Sequence, residues 1–197
     1  MDYQIYKAIN ASGPSFLHDV FRFLANDLAA IIVVLVALLF LIPWRENVLD
    51  RRRAAVAATA AAGLALLIAQ PIANSVDRSR PFVAHPGGSH LLIGRSTDPS
   101  FPSDHATGAF AIAVAVWAYD RTFGALFLAL AVVLGFARVY VGTHYPGDIL
   151  GGAILGALVA LVLRWGPLRA ALERVADYCS EIWERIIQAV VRSRASQ

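Results

Sequence analysis

Long uncharged hydrophobic runs, separated by short polar segments, dominate this chain of 197 residues. A bilayer core of about 30 Å needs roughly 20 apolar helical residues. Two runs reach about that length, and three shorter runs reach it only if their polar flanks sit at the membrane interface. Because a backbone in lipid must satisfy its own hydrogen bonds, the pattern predicts an all-α, polytopic membrane bundle with five clear transmembrane helices. The five runs are 28–44, 54–76, 106–119, 122–137 and 149–163.

The two ends of the chain have a different pattern. The stretch FLHDVFRFL at 16–24 has apolar residues at helical spacing with charged residues among them. Residues 1–26 therefore either lie along the interface or extend the first span, and a sixth span stays open. They have no basic start and no early cleavage site, so we expect no cleavable signal peptide. The tail 168–197 is amphipathic and charged, which predicts a cytoplasmic surface helix. We expect one membrane-embedded domain over 1–197, with its motifs in 70–150.

Composition and charge support a membrane protein and give it an orientation. The chain is 58% hydrophobic and only 16% charged, with a net charge of +3, whereas soluble domains are nearer half apolar and a quarter charged. Four arginines lie in the segment 45–53, and further arginines follow the third and fifth runs. Positive charge in short loops marks the cytoplasmic side. The segments 77–101 and 138–148 then lie outside.

Six ionisable residues lie at helix ends on the predicted outer side. Any one of them by itself is as well explained as a marker of the water boundary. Together they shorten the last three spans, although a charge at the bilayer centre costs about 2.5–3.5 kcal/mol and less near the interface. Such a cost is tolerated more readily if the groups form one site. The residues are Arg80, Asp104, His105, Arg138, His144 and Asp148.

The residue types at these helix ends suit phosphoryl transfer. Arginine forks match phosphate oxygens. Asp148 lies four residues after His144, where it is able to hold one imidazole nitrogen and leave the other as a nucleophile. His105 is then placed to protonate a leaving oxygen. No cysteine cluster or dense carboxylate set indicates a metal, so the pattern predicts a phosphohistidine route without metal or cofactor.

Three motifs resemble the signatures of the type 2 phosphatidic acid phosphatase superfamily. They are Arg80-Pro81, then Pro102-Ser103-Asp104-His105, then Arg138 followed by His144 and Asp148 at the family's spacing. The order, the spacing and the helix-end positions agree over roughly residues 70–150. By this resemblance, His144 is the nucleophile, Asp148 its orienting partner and His105 the general acid. The resemblance also assigns the phosphoryl oxygens to Arg80, Ser103 and Arg138.

Departures from the usual family pattern point to one branch. The family's lysine is replaced by Ala73, with Asn74 beside it, and the usual glycine of the second motif is Asp104. An asparagine at this place, together with SFPSDH and VGTHYPGD, looks like the bacitracin-resistance branch, the undecaprenyl pyrophosphate phosphatases of bacterial membranes. We therefore expect Asn74 to supply a neutral phosphate contact. Asp104 is grouped with the phosphate-binding residues, although a local helix cap is the interpretation we favour for it.

The resemblance implies an enzyme that cleaves undecaprenyl pyrophosphate to undecaprenyl phosphate and inorganic phosphate at the outer face of the cell membrane. Its partners would be the polyprenyl pyrophosphate lipid and the bilayer, with no nucleic acid. The alternatives are a phosphatidylglycerophosphate or phosphatidic acid phosphatase of the same superfamily and, more distantly, a non-catalytic lipid binder or flippase. The loop 83–100 also holds Arg95, His85 and His90, whose roles stay open, with solvated positions favoured for the two histidines.

Overall fold

The computed structural model describes residues 1–44 and 46–195, and these form helices and connecting segments without a β-strand. Arg45, one of the four arginines used above, and residues 196–197 of the tail lie outside the described residues. The helices are α1 (Asp2–Ile9), α2 (Ser15–Leu41), α3 (Val48–Val76), α4 (Pro81–Ala84), α5 (Asp104–Trp117), α6 (Arg121–Tyr140), α7 (Pro146–Leu163) and α8 (Gly166–Ala195). The predicted all-α membrane fold is confirmed.

Within the described residues, four segments are long and apolar enough to cross a membrane: Ser15–Leu41, Val48–Ala84, Arg121–Tyr140 and Pro146–Leu163. The remaining predicted span is α5, whose 14 residues extend only about 21 Å. It lies at the centre of the bundle and packs mainly against α3, α6 and α7. Residues 15–26 extend the first span, and α1, with 8 residues, is too short to be a sixth.

Small residues allow the central helices to approach closely. The buried face of α3 is a stripe of alanines at helical spacing, including Ala54, Ala58, Ala61 and Ala65. On α7 the residues that face α5 include Gly152 and Gly156. Small side chains at such contacts are typical of membrane helices, where close van der Waals packing replaces the hydrophobic effect between helices.

Helix α8 is fastened to the bundle at one end, by contacts from the start of α3. Arg52 is almost fully buried and donates to Ser180 and Glu184, at 2.5 and 2.8 Å. Arg53 binds both carboxylate oxygens of Asp177 at 2.8 Å. These contacts hold the charged tail as a helix on the end of the bundle that carries the other arginine-rich segments, as the sequence predicts.

Candidate active site

The polar residues of four distant segments meet at the end of the bundle opposite α8. One cavity of about 410 Å³ opens there between the ends of α3 and α6, the start of α5 and the segment that precedes α7. Six of the eight residues proposed from the sequence line it: Asn74, Arg80, Asp104, His105, Arg138 and His144. The structure therefore brings together most of the predicted set.

His144 is buried, and its ring is held in one orientation by the backbone. Its Nδ1 lies 2.8 Å from the carbonyl oxygen of Ser100. Because a carbonyl oxygen only accepts hydrogen bonds, Nδ1 carries the proton and Nε2 presents its lone pair. Nη1 of Arg80 lies 3.3 Å from that Nε2. Burial, more than the neighbouring arginines, lowers the pKa of His144 to about 4, against the opposing influence of Asp148. The ring is therefore neutral at pH 7 and suited to attack an electrophile through Nε2.

Asp148 lies behind the histidine and is fully buried. Its Oδ2 is 3.8 Å from Nδ1 of His144, which is beyond hydrogen-bond length. The same oxygen accepts from the Ser100 hydroxyl at 2.5 Å and from the Tyr145 backbone N–H at 2.8 Å. The carboxylate is thus next to the histidine, as predicted, but the Ser100 carbonyl, not Asp148, accepts the Nδ1 hydrogen. Asp148 acts on the imidazole across a short gap as a negative charge.

The two arginines of the cavity differ in how firmly they are held. Arg80 donates to the backbone carbonyls of Asp98 at 2.8 Å and Thr143 at 3.2 Å. Arg138 donates from Nη1 to the carbonyl of Ala25 at 3.3 Å, while its buried Nε has no hydrogen-bond partner among the described residues. A buried donor without an acceptor is costly. Since both guanidinium groups line the same cavity, a phosphate oxygen would supply the missing acceptor.

Ser103 and Asp104 occupy places that differ from the expectation. Ser103 is fully buried, and its hydroxyl caps α5 by accepting from the Ala106 N–H. It does not line the cavity. The cap of α5 is therefore Ser103, and the interpretation of Asp104 as the cap is wrong. Asp104 is instead an exposed first-turn residue whose side chain borders the cavity.

Three residues of the loop 83–100 had roles that the sequence left open, and none of the three lines the cavity that His144 lines. The ring of His85 stacks on Tyr3 with 3.7 Å between centroids. The backbone of His90 exchanges two hydrogen bonds with the Asn10 side chain, at 2.7 and 2.8 Å. Arg95 is exposed and borders a neighbouring cavity of about 350 Å³ that shares Arg80 with the first one. Of the three, Arg95 is the one that lines a cavity shared with Arg80.

Two residues of the site are absent from the set proposed from the sequence. Ser100 binds both His144 and Asp148, yet no spacing distinguishes it from the other polar residues of its loop. Arg78 donates to Asp148 at 2.7 Å. Its signal was available, since it is a second arginine only two residues before Arg80.

A metal ion would need a cluster of suitable side chains. In residues 1–44 and 46–195, no three histidine, cysteine, aspartate or glutamate side chains are grouped so that they would hold one. Among the described residues, the arginines that line the cavity are Arg80 and Arg138.

Comparison with known proteins gives a consistent family. Residues 53–170 match the model of the PAP2 superfamily. Undecaprenyl-diphosphatase BcrC of Bacillus subtilis (strain 168) is 32% identical over 100% of this chain and 99% of its own length. The bacitracin transport permease protein BcrC of Bacillus licheniformis is 28% identical over 95% and 92% of the two chains. The crystal structure of Aquifex aeolicus LpxE shares the fold, with a TM-score of 0.65, 23% identity and coverage of 82% and 93%.

Proposed function

The chain belongs to the PAP2 superfamily, and on that premise we propose that it is a multi-pass membrane phosphatase that hydrolyses undecaprenyl pyrophosphate to undecaprenyl phosphate and inorganic phosphate. The full-length similarity to an undecaprenyl-diphosphatase supports the substrate, because both chains are covered almost completely. The resulting undecaprenyl phosphate returns to cell-wall synthesis as the carrier lipid, and its regeneration would give bacitracin tolerance. We propose one functional domain over the whole chain.

The observation that carries the proposal is the setting of His144. Its Nδ1 is committed to the Ser100 carbonyl, its Nε2 faces a cavity, and Arg80 lies beside that nitrogen. A neutral imidazole with a fixed tautomer and an unprotonated Nε2 is what in-line attack on phosphorus requires. A site built only for binding has no need of that arrangement.

The reaction proceeds in two balanced steps. Nε2 of His144 attacks the terminal phosphorus and forms a P–N bond, while the P–O bond to the bridging oxygen breaks. His105, which lines the same cavity, gives a proton to the departing lipid phosphate. In the second step His105 removes a proton from water, whose oxygen attacks the phosphorus, and the P–N bond breaks to release phosphate.

The charges around the cavity stabilise this pathway. Arg80 and Arg138 both line it, so their guanidinium groups offset the negative charge of the phosphoryl oxygens during transfer. Asp148 is fully buried, and its Oδ2 lies 3.8 Å from Nδ1 of His144, on the opposite side of the ring from Nε2. Its negative charge offsets the positive charge that the ring acquires when Nε2 forms the bond to phosphorus. Asn74 would contribute a neutral contact, whereas the capping role of Ser103 restricts it to positioning α5.

The bundle implies that the cavity opens at one membrane surface. The arginine-rich end carries Arg51, Arg52 and Arg53 together with α8, and the cavity is at the other end. By the positive-inside rule the cavity faces the extracytoplasmic side. A pyrophosphate headgroup would meet it at the interface while its polyprenyl chain stays in the bilayer.

Phosphate release from purified protein in detergent tests the proposal, with undecaprenyl pyrophosphate compared with phosphatidylglycerophosphate. We expect a higher kcat/KM for the pyrophosphate and no release by His144→Ala with either lipid. Preference for phosphatidylglycerophosphate would retain the phosphatase and replace its substrate. Lipid binding without phosphate release from either lipid would favour a binder or transporter and contradict the proposal.

A further inference from the structure

Arg78 connects the buried carboxylate of the site to the beginning of the chain. Its Nη1 donates to Oδ1 of Asp148 at 2.7 Å, and its Nη2 donates to Oδ2 of Asp2 at 2.6 Å. The guanidinium group also lies over the Tyr145 ring, 4.0 Å from its centroid. Since each terminal nitrogen is paired with a carboxylate and the face is covered by an aromatic ring, the orientation of Arg78 is closely defined.

Asp2 serves two partners at once. While Oδ2 accepts from Arg78, Oδ1 accepts from the backbone N–H of Gly147 at 2.9 Å. Gly147 is in the first turn of α7, where backbone N–H groups lack partners within the helix. Asp2 therefore joins three segments that are far apart in sequence: α1, the connection between α3 and α4, and the start of α7 immediately after His144.

Asp148 depends on Arg78 for a permanent positive partner. Oδ2 is bound by Ser100 and the Tyr145 backbone N–H, and Oδ1 is bound by Arg78. Among the described residues the ion pairs of Asp148 are with Arg78 and His144, and His144 is neutral at pH 7. A buried carboxylate that loses its charged partner is strongly destabilised. Removing Arg78 would leave Oδ1 of Asp148 without its hydrogen-bond donor, while Oδ2 keeps Ser100 and the Tyr145 N–H.

We propose that Arg78, held in place by Asp2, is a positioning residue that fixes Asp148 as an oriented negative charge behind the nucleophile. The proposal rests on the phosphatase function assigned above. Arg78 does not line the cavity, and its two terminal nitrogens are occupied by Asp148 and Asp2, so it acts on the reaction through Asp148 and makes no contact with the substrate. Its loss should therefore lower kcat and leave KM nearly unchanged.

Steady-state kinetics of four variants test this role: Arg78→Met, Arg78→Lys, Asp2→Asn and the double variant Arg78→Met/Asp2→Asn. They are measured on whichever lipid the wild type hydrolyses. Residues that orient metal ligands from outside typically matter by roughly 10–100-fold, and by analogy we expect a fall in kcat of that order for Arg78→Met with KM within about twofold. Arg78→Lys should recover part of the loss. Asp2→Asn should lose less than Arg78→Met and should add nothing to it in the double variant.

A matched control comes from the Arg22–Asp19 pair. Nη1 of Arg22 lies 2.9 Å from Oδ1 of Asp19, both side chains are well exposed, and neither contacts Asp148. Asp19→Asn should therefore keep the wild-type kcat.

Several results would overturn the role of Arg78. A rise in KM at unchanged kcat would make Arg78 a substrate ligand. If the losses of kcat in Arg78→Met and Asp2→Asn added up in the double variant, Asp2 would not act through Arg78. A lowered melting temperature with unchanged kcat per folded molecule would make the pair merely structural. If Arg78→Met does not fold, the kcat and KM of Asp2→Asn and Arg78→Lys decide the question by the same criteria. A wild type that prefers phosphatidylglycerophosphate would refute the proposed substrate and leave this test intact.

Discussion

Helices α5 and α7 approach each other closely at Gly156, and replacing this glycine with alanine should force the two helices apart. A Cβ atom built on Gly156 would lie 2.2 Å from the Thr107 carbonyl oxygen and 2.9 Å from the Ala111 nitrogen. Both are backbone atoms, so no side chain is able to move aside. Ordinary contacts of a Cβ begin at about 3.4 Å, and the helices would have to separate by about 1 Å.

This separation should affect both stability and catalysis. Overpacking a well-packed contact typically costs about 1–3 kcal/mol. The helix α5 carries His105, and α7 begins two residues after His144, so the separation also moves the acid away from the nucleophile. A misplacement of about 1 Å is able to cost roughly 10²-fold in rate. We therefore expect Gly156→Ala to lower the melting temperature and to reduce kcat on the order of 100-fold.

Thermal unfolding and phosphate release in the same detergent measure the two effects. Gly63→Ala is the matched control, because a Cβ built on Gly63 meets nothing within 4 Å, and alanine is the better helix former. It should keep wild-type activity and an equal or higher melting temperature. Wild-type melting temperature and kcat for Gly156→Ala would refute the close approach of α5 and α7 on which the placement of His105 depends.

Four further results are expected. As the pH falls from about 6.5 to about 4, the free energy of unfolding in detergent should decrease by about 3 kcal/mol. The reason is that His144 takes up a proton in the unfolded chain but stays neutral when it is buried in the folded one. His144→Asn should lose this part of the dependence of the unfolding free energy on pH, and an unchanged dependence in the variant would contradict the burial of a neutral ring. Hydrolysis should persist in excess chelator once effects of metal on the substrate micelles are controlled, whereas strict, reversible dependence on Mg²⁺ or Ca²⁺ would show that the arginines do not provide the whole charge. In a Cys179→Ser background, Gly87→Cys should react with an impermeant thiol reagent in intact cells and Glu46→Cys should not, and the reverse pattern would place the cavity in the cytoplasm. His105→Ala should slow pyrophosphate cleavage by about 10²–10⁴-fold and affect nitrophenyl phosphate less, since that leaving group needs no proton; equal losses on the two substrates would argue against the acid role.

The membrane architecture is predictable because it depends on a local property. Runs of uncharged residues identify the spans, and the positions of arginines assign each helix end to one of the two membrane sides. Helix α5 is an exception, because its 14 residues, Asp104–Trp117, are fewer than a membrane span needs. Its surroundings are mostly other helices of the bundle. The sequence alone does not show that neighbouring helices, in place of lipid, would surround it.

The cavity is predictable to the extent that its residues lie in the three motifs. Arg80, His105, Arg138 and His144 converge because each lies at a helix end of the same side. The partner of Nδ1 is not predictable in this way. A backbone carbonyl, that of Ser100, takes this place, and every residue has a carbonyl, so residue types carry no signal for it.

The connection from Asp2 to Asp148 is hidden for a different reason. Asp2 and Gly147 are 145 residues apart, and their contact depends on α1 folding back beside α6 and α7. Neither the charge of Asp2 nor the hydrophobic spacing of α1 specifies that return. Arg78, by contrast, lies beside a motif, and its position at the same helix end was a usable signal.

The role of His144 as carrier of the phosphoryl group is tested most directly by trapping the phosphoenzyme. Purified protein is mixed with undecaprenyl pyrophosphate labelled in its terminal phosphate, quenched in alkali within milliseconds to preserve the acid-labile P–N bond, and digested for mass spectrometry. We expect label on the peptide that contains His144, no label in His144→Ala, and suppression of the label by vanadate. Label on a different residue, or turnover by His144→Ala at a substantial fraction of the wild-type rate, would contradict this role of His144.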